Sequence, residues 1–466
     1  MGGATMKGKN CIPYGPGDKA AVSLFGHVHS SSFIMILNAL ADELSKRLCL
    51  NRREFLKSQM GLAATFLAFN SVYGHFFDVA RAEAEESDAA AERIDMYAGQ
   101  FIFDVQVHYV HDEYPNPGGL LSLRRASERW NPGKQEGEHT IEDIRFDNFF
   151  REVFQESQTK AAILSNAPDD NKNAWFLTNE EAMAARERVN SKTGRRSLLA
   201  HALLTPGQPG WMDELEKALE LKPDAMKAYT LGEPGGRSKY PWKLDDEKVA
   251  YPAYEKIKKA GIKIICVHKG LLPTGYRQWM PPELIEYAKV DDVGPAARDW
   301  PDLTFVIYHS AIEKVIPTAE DAEEFKKTGR IDWVTDLAEI PAKYGVSNVH
   351  VDLGAVFAAT CAAHPELCAG VLGTLIRNLG ADHVSWGTDS VWFGSPQWQI
   401  EALRRFEIPE SLQKKYGFNP LGPADGQVKR KIFGENSAQL YGLDPADYQG
   451  AEQFKIRDFS HAEKRT

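Results

Sequence analysis

Eight short runs of apolar and β-branched residues, each separated from the next by a stretch of helical periodicity, constrain this chain most. They lie at 101–107, 161–165, 198–204, 225–229, 262–267, 304–308, 348–352 and 383–387. Helical patterns fall between them at 180–189, 211–220, 253–260, 282–287, 331–344 and 369–378. Strands that are apolar throughout, not at every second residue, are buried on both faces, and helices between them imply parallel pairing. Eight such units favour a closed α/β barrel over an open doubly wound sheet. The chain carries neither a Gly-rich dinucleotide fingerprint nor a phosphate loop, which weakens the open-sheet alternative further. Two segments read as long loops on the catalytic side of the barrel: 109–140, rich in Pro, Gly and charge, and 231–248.

Ahead of the first run lies a segment of different character. Asn51-Arg52-Arg53-Glu54-Phe55-Leu56-Lys57 is followed by an apolar stretch from Met60 to Phe69, then by Ala80-Arg81-Ala82. A charged start, a short apolar core and a small-x-small site, in that order, are the parts of an export signal. The paired arginines resemble the twin-arginine type, with Asn51 where Ser or Thr is usual. The expected organisation is a leader over 1–82, a linker over 83–100, a single catalytic domain over 101–443 and a polar tail over 444–466. Met35 is an alternative start. Export through the twin-arginine machinery would place the product in the periplasm or outside the cell, with no stable membrane insertion after cleavage.

Charge and cysteine content exclude several partners. The 466 residues carry 55 Lys plus Arg against 65 Asp plus Glu, a net charge of −10, and loss of the leader would make the product more acidic. Nucleic acid and anionic membranes call for a basic face, so neither is expected as a partner. Cys11, Cys49, Cys266, Cys361 and Cys368 are too few and too scattered for a disulfide framework or a zinc knuckle. The expected partner is a small molecule; the oligomeric state is left open.

The informative residues follow the apolar runs. The first run ends Asp104-Val-Gln106-Val-His108; the fourth carries Lys227; the fifth ends at His268, the sixth at His309, and the eighth leads into Asp389. In a parallel barrel all these strand ends meet at one rim. Imidazoles and a carboxylate gathered there suit a divalent ion with an open position for water. His27 and His29 form a His-x-His pair too, but they precede the signal in Ser-rich sequence and are rejected. His201, inside the third run, reads as a buried, hydrogen-bonded histidine. Lys269 and Arg277 are candidate anchors for a substrate carboxylate, and Asp352 ends the seventh run where it could reach the rim. No Gly-x-Ser-x-Gly elbow suggests a serine triad.

Together, Asp104-x-x-x-His108, Val267-His268-Lys269-Gly270-Leu271, Tyr308-His309-Ser310, Trp386-Gly-Thr-Asp389-Ser390 and the closing Ile432-Phe-Gly-Glu-Asn-Ser-Ala-Gln-Leu-Tyr-Gly-Leu443 resemble the amidohydrolase superfamily, in its amidohydrolase-related branch. The resemblance covers about Phe101 to Leu443 and implies a (β/α)8 TIM barrel. It implies that His108 and His268 are metal ligands, that Asp389 is both ligand and general base, and that His309 sits beside the metal and polarises substrate or water. Lys227 stands where binuclear relatives carry a carboxylated bridging lysine; an inward lysine paired with an acidic neighbour is the preferred reading. The implied cofactor is one divalent ion, zinc first and manganese second.

One position departs from the pattern. Gln106 stands where the family has His, or Glu in some decarboxylases, and an amide oxygen is a weaker, uncharged ligand. The expected function is a metal-dependent hydrolase that uses an activated water on an amide, ester or lactone of a small, carboxylate-bearing molecule. The alternative is a metal-dependent non-oxidative decarboxylase. A third reading is a catalytically dead exported binding protein, with Gln106 as the mark of decay.

Overall fold

The computed structural model describes residues 31–127, 139–273 and 275–449. Eight parallel strands, each paired with the next in sequence, form one sheet: β1 (Phe103–Val107), β2 (Ala161–Leu164), β3 (Leu198–Leu204), β4 (Ala225–Tyr229), β5 (Ile264–His268), β6 (Thr304–Tyr308), β7 (Val349–Asp352) and β8 (Val384–Ser385). The sheet curls until its last strand meets its first. Val105 N–H donates to Trp386 O at 2.9 Å and Asp389 N–H to Gln106 O at 2.9 Å, and Val107 bridges in parallel to Ser390. The fold is therefore the expected (β/α)8 TIM barrel. Strands β3, β4 and β6 match the apolar runs residue for residue. β8 is the shortest, because the run it was read from turns polar at Gly387-Thr388.

Strand alternation divides the core in two. Ala161, Ile163, Leu199, Ala225, Ile264, Cys266 and Val306 pack inside the barrel with Phe103 and Val105. Their neighbours Ala162, Leu164, Leu198, Met226, Ile265 and Ile307 pack outward against the helices. Tyr441 and Tyr448, from the closing segment, join the inner cluster. β1 breaks the alternation. Its pairing with β2 shifts register between Asp104 and Val107, and Val107 packs with the outer layer while Val105 stays inside. Such a bulge re-aims the following side chains, and it turns Gln106 and His108 toward the barrel axis.

Residues 31–100 are largely helical, as α1 (Ser31–Arg47), α2 (Arg52–Lys57), α3 (Gln59–Tyr73), α4 (Arg81–Glu85) and α5 (Ser87–Met96). Phe33, Phe66, Phe69 and Phe77 belong to the same buried cluster as the barrel's outer layer. Phe77 packs edge-on against Phe406 at 5.4 Å, and Asp78 N–H donates to Arg405 O at 2.7 Å. Asn51 caps α2, accepting from Arg53 N–H at 2.8 Å, and Arg52 bonds Asn38 and pairs with Asp42 at 3.0 Å. Within 83–100, α5 and the end of α4 are helical. Among the described residues no helix is long and apolar enough to cross a membrane. His27, His29, Cys11 and residues 450–466 of the expected tail lie outside the described residues.

Candidate active site at the carboxyl end of the barrel

Gln106, His108 and Asp389 meet across the seam that closes the barrel. His108 donates from Nδ1 to the carbonyl of Ser165 at 2.7 Å, which leaves Nε2 as the nitrogen facing the site. That Nε2 lies 2.8 Å from Asp389 Oδ1. The amide nitrogen of Gln106 sits between them, 3.3 Å from His108 Nε2, 3.0 Å from Asp389 Oδ1 and 3.1 Å from His309 Nε2. All four side chains are buried.

Beneath this group Asp104 ties the two sides of the seam. Its carboxyl accepts the Gln106 N–H at 3.1 Å and the Thr388 N–H at 3.0 Å, and it bonds the Thr388 hydroxyl as well. Burial pushes that carboxyl up to about 7, against the opposing pull of these hydrogen bonds. Sequence reasoning counted Asp104 only as part of a motif and missed Thr388. The Asp-x-x-x-His spacing was the available signal.

The other strand ends complete the site. His268, at the tip of β5, stacks on Tyr229 at 4.6 Å and meets His309 edge-on at 4.7 Å. Both its ring nitrogens are buried with no hydrogen-bond partner. Burial lowers the pKa of His268 and of His309 well below the ordinary histidine value, assisted by Lys227 for the first and by His268 for the second, so both rings are neutral at pH 7. Lys227 points inward with its Nζ over the Tyr308 ring, 3.3 Å from the ring centre, and burial lowers it to about 7. It makes no hydrogen bond to an acidic neighbour, although Asp352 and Asp389 both act on it through space. Asp352 is wholly buried, and burial raises its carboxyl to about 8.

The donor types gathered here, imidazole, carboxylate and amide, are ones that can take a divalent cation. His108 Nδ1 donates to a carbonyl, so its Nε2 faces the Asp389 carboxylate at 2.8 Å, a contact that a shared proton or a cation would satisfy. The Gln106 amide nitrogen has two protons for three acceptors. Turning the amide over would present Oε1, which has no partner now. Among the described residues no three His, Cys, Asp or Glu side chains form a group that could hold a metal ion by themselves.

Comparison with known proteins gives the family. A family model described as amidohydrolase matches residues 103–443. The chain belongs to the amidohydrolase family. No curated protein matches the sequence. Among solved structures, an uncharacterised TIM-barrel protein from Bordetella bronchiseptica matches at 15% identity and TM-score 0.48, covering 73% of this chain and 98% of that one. A 5-carboxyvanillate decarboxylase from Sphingomonas paucimobilis matches at 14% identity and TM-score 0.41, covering 74% and 100%. A protein from Pseudomonas putida, described as a 2-pyrone-4,6-dicarboxylic acid hydrolase, matches at 14% identity and TM-score 0.40, covering 74% and 98%.

In this amidohydrolase two expected substrate anchors are spent elsewhere. Lys269 is fully buried, 2.7 Å from Asp292 and donating to Tyr287 O at 3.0 Å, so its ammonium has no reach into the site. Arg277 lies at the surface, paired with Glu313 at 2.6 Å. Aromatic rings stand in the first rank instead. Trp392 stacks on His108 at 5.4 Å with its plane tilted only 15°, and Phe176 closes on both rings from the side. His201 is buried inside the barrel, but neither ring nitrogen has a hydrogen-bond partner, unlike the hydrogen-bonded histidine expected there.

Proposed function

We propose that this amidohydrolase is a metal-dependent hydrolase acting on an amide, ester or lactone carbonyl of a small molecule. The observation that carries the reading is the 2.8 Å approach of His108 Nε2 to the Asp389 carboxylate, bridged by the Gln106 amide. Gln106, His108, His268 and Asp389 would hold one divalent ion, zinc or manganese, with His309 beside it. Such an ion, when bound, supplies Lewis-acid polarisation and a water that ionises near neutral pH. Asp389 then takes the proton of the attacking water on its carboxylate and returns it to the leaving group. Neutral His309 accepts or donates a hydrogen bond at the substrate oxygen, and Trp392, Tyr229 and Phe176 keep the reacting atoms dry.

A second reading is favoured by those same rings. A planar aromatic acid would lie against Trp392 and Tyr229, and non-oxidative decarboxylation would use Asp389 or His309 to protonate the ring carbon. For residues 1–82 we propose the twin-arginine export route, supported by the order of charged, apolar and small-residue segments. Elemental analysis of protein purified without added metal, with a His268→Ala control, tests the metal. About one equivalent, lost in the control, is expected. No ion even after reconstitution would refute both enzymatic readings in favour of a binding protein. Product analysis of lactones, amides and aromatic acids separates hydrolysis from CO₂ release.

A further inference from the structure

Tyr308 and His309 are consecutive, yet both side chains point into the barrel. Tyr308 donates its hydroxyl to Val105 O at 2.8 Å, and its ring lies under Lys227. His309 stands 4.7 Å from His268, ring to ring, with Nε2 3.1 Å from the Gln106 amide. In an extended chain, neighbours face opposite ways, so the backbone must leave the strand between them. It does so through three successive left-handed residues, His309 (φ 59°), Ser310 (φ 47°) and Ala311 (φ 53°). None is a glycine or an asparagine, so the turn has no intrinsic preference for this form.

Two hydrogen bonds from the last residue of β7 hold the turn. The Asp352 carboxyl accepts the His309 N–H at 2.6 Å, and the Asp352 backbone carbonyl accepts the Ser310 hydroxyl at 2.6 Å. The carboxyl is itself wedged against Gly387, where an added Cβ would lie 2.6 Å from Oδ2. We infer that Asp352 is a positioning residue: it latches the left-handed turn that swings His309 into the site, and does not itself meet substrate. The inference rests on the reading above, in which His309 serves the site.

The test uses the full chain and Co²⁺ as the probe, with binding followed by visible absorption and folding by circular dichroism. His309→Ala, Asp352→Ala, Asp352→Asn and Ser310→Ala are compared with the unaltered protein. Asp352→Ala is expected to reproduce the His309→Ala spectrum and to change Co²⁺ affinity by the same factor as His309→Ala, within about threefold, because it acts through His309 alone. Asp352→Asn should return to within about threefold, because an amide oxygen accepts the same N–H. Ser310→Ala leaves the carboxyl intact and should shift the spectrum in the same direction. Should Asp352→Ala not fold, an unaltered spectrum in Ser310→Ala would overturn the latch. An Asp352→Asn as damaged as Asp352→Ala would overturn it too, since charge and not acceptance would then matter. If His309→Ala perturbs the spectrum and Asp352→Ala does not, the latch alone fails. If His309→Ala changes nothing, the reading of the site fails and the latch with it.

Discussion

Gln106 is the residue on which the proposed ion turns. It is the member of the proposed ligand set that could supply an oxygen without charge. Gln106→Leu should therefore lose the metal entirely, while Gln106→His should tighten zinc binding by at least about tenfold, imidazole being the better zinc ligand. Competition against a chromogenic chelator measures both, and a leucine variant that still binds one equivalent would remove Gln106 from the ligand set. Gly354 makes a sharper test of geometry. It has φ 45°, and a Cβ there would lie 2.5 Å from His309 Nδ1 and 2.6 Å from Gln106 Oε1. Gly354→Ala should lower metal affinity and also lower the unfolding midpoint of the apo protein, since a positive φ and the close contacts strain any added side chain. The ligand types were legible from sequence because imidazole and carboxylate ended apolar runs. The left-handed turn at His309 was not, because Tyr-His-Ser-Ala contains no residue that signals it. The fates of Lys269 and Arg277 were hidden for a different reason: their acidic partners, Asp292 and Glu313, come from other segments.

At the scale of elements, apolar strands announced themselves and irregularities did not. β3, β4 and β6 were read to the residue because both faces of each are buried, whereas the bulge in β1 leaves no mark in a sequence whose polar residues alternate regularly. The helix Gln397–Arg405 carries a second buried polar system. Glu401 bonds Arg404 at 2.6 Å and also Arg405, which reaches Glu83 of α4 at 2.6 Å. Burial would raise the Glu401 carboxyl, but Arg405 and Arg404 outweigh it and hold it at about 2. A carboxyl held below its unfolded value, about 4.3, adds stability at all higher pH and loses it as pH falls through that interval toward about 2. The unfolding midpoint should accordingly drop between pH 4.5 and 2, with roughly 3–5 kcal/mol lost at neutral pH in Glu401→Gln, which leaves the buried Arg404 guanidinium without a carboxylate and Arg405 with Glu83 alone. A pH profile unchanged by that substitution would show that other carboxylates govern acid unfolding.

For the whole molecule, the amino-terminal helices pose the larger question. An apolar stretch such as 60–69 has the same composition whether it is an export signal or a buried helix, so sequence could not separate the two. In the fold, Phe33, Phe66, Phe69 and Phe77 are each no more than 2% exposed. At about 1.5–3 kcal/mol for each buried aromatic side chain, deletion of residues 1–82 should cost several kcal/mol and expose Phe406. Chemical denaturation of the full and shortened chains measures this, and equal midpoints would mean that the helices are dispensable lodgers on the barrel.

The seam between β1 and β8 sets the order in which the protein can acquire its chemistry. Gln106 and Asp389 are separated by 283 residues yet share a hydrogen bond. During synthesis the early strands can pair as they emerge, but the first half of the site must wait, without its counter-charge, until nearly the whole barrel has been made. Function is thus the last property this chain gains on folding and the first it would forfeit if the end strands parted. An ion held by both sides would act as the rivet of that joint.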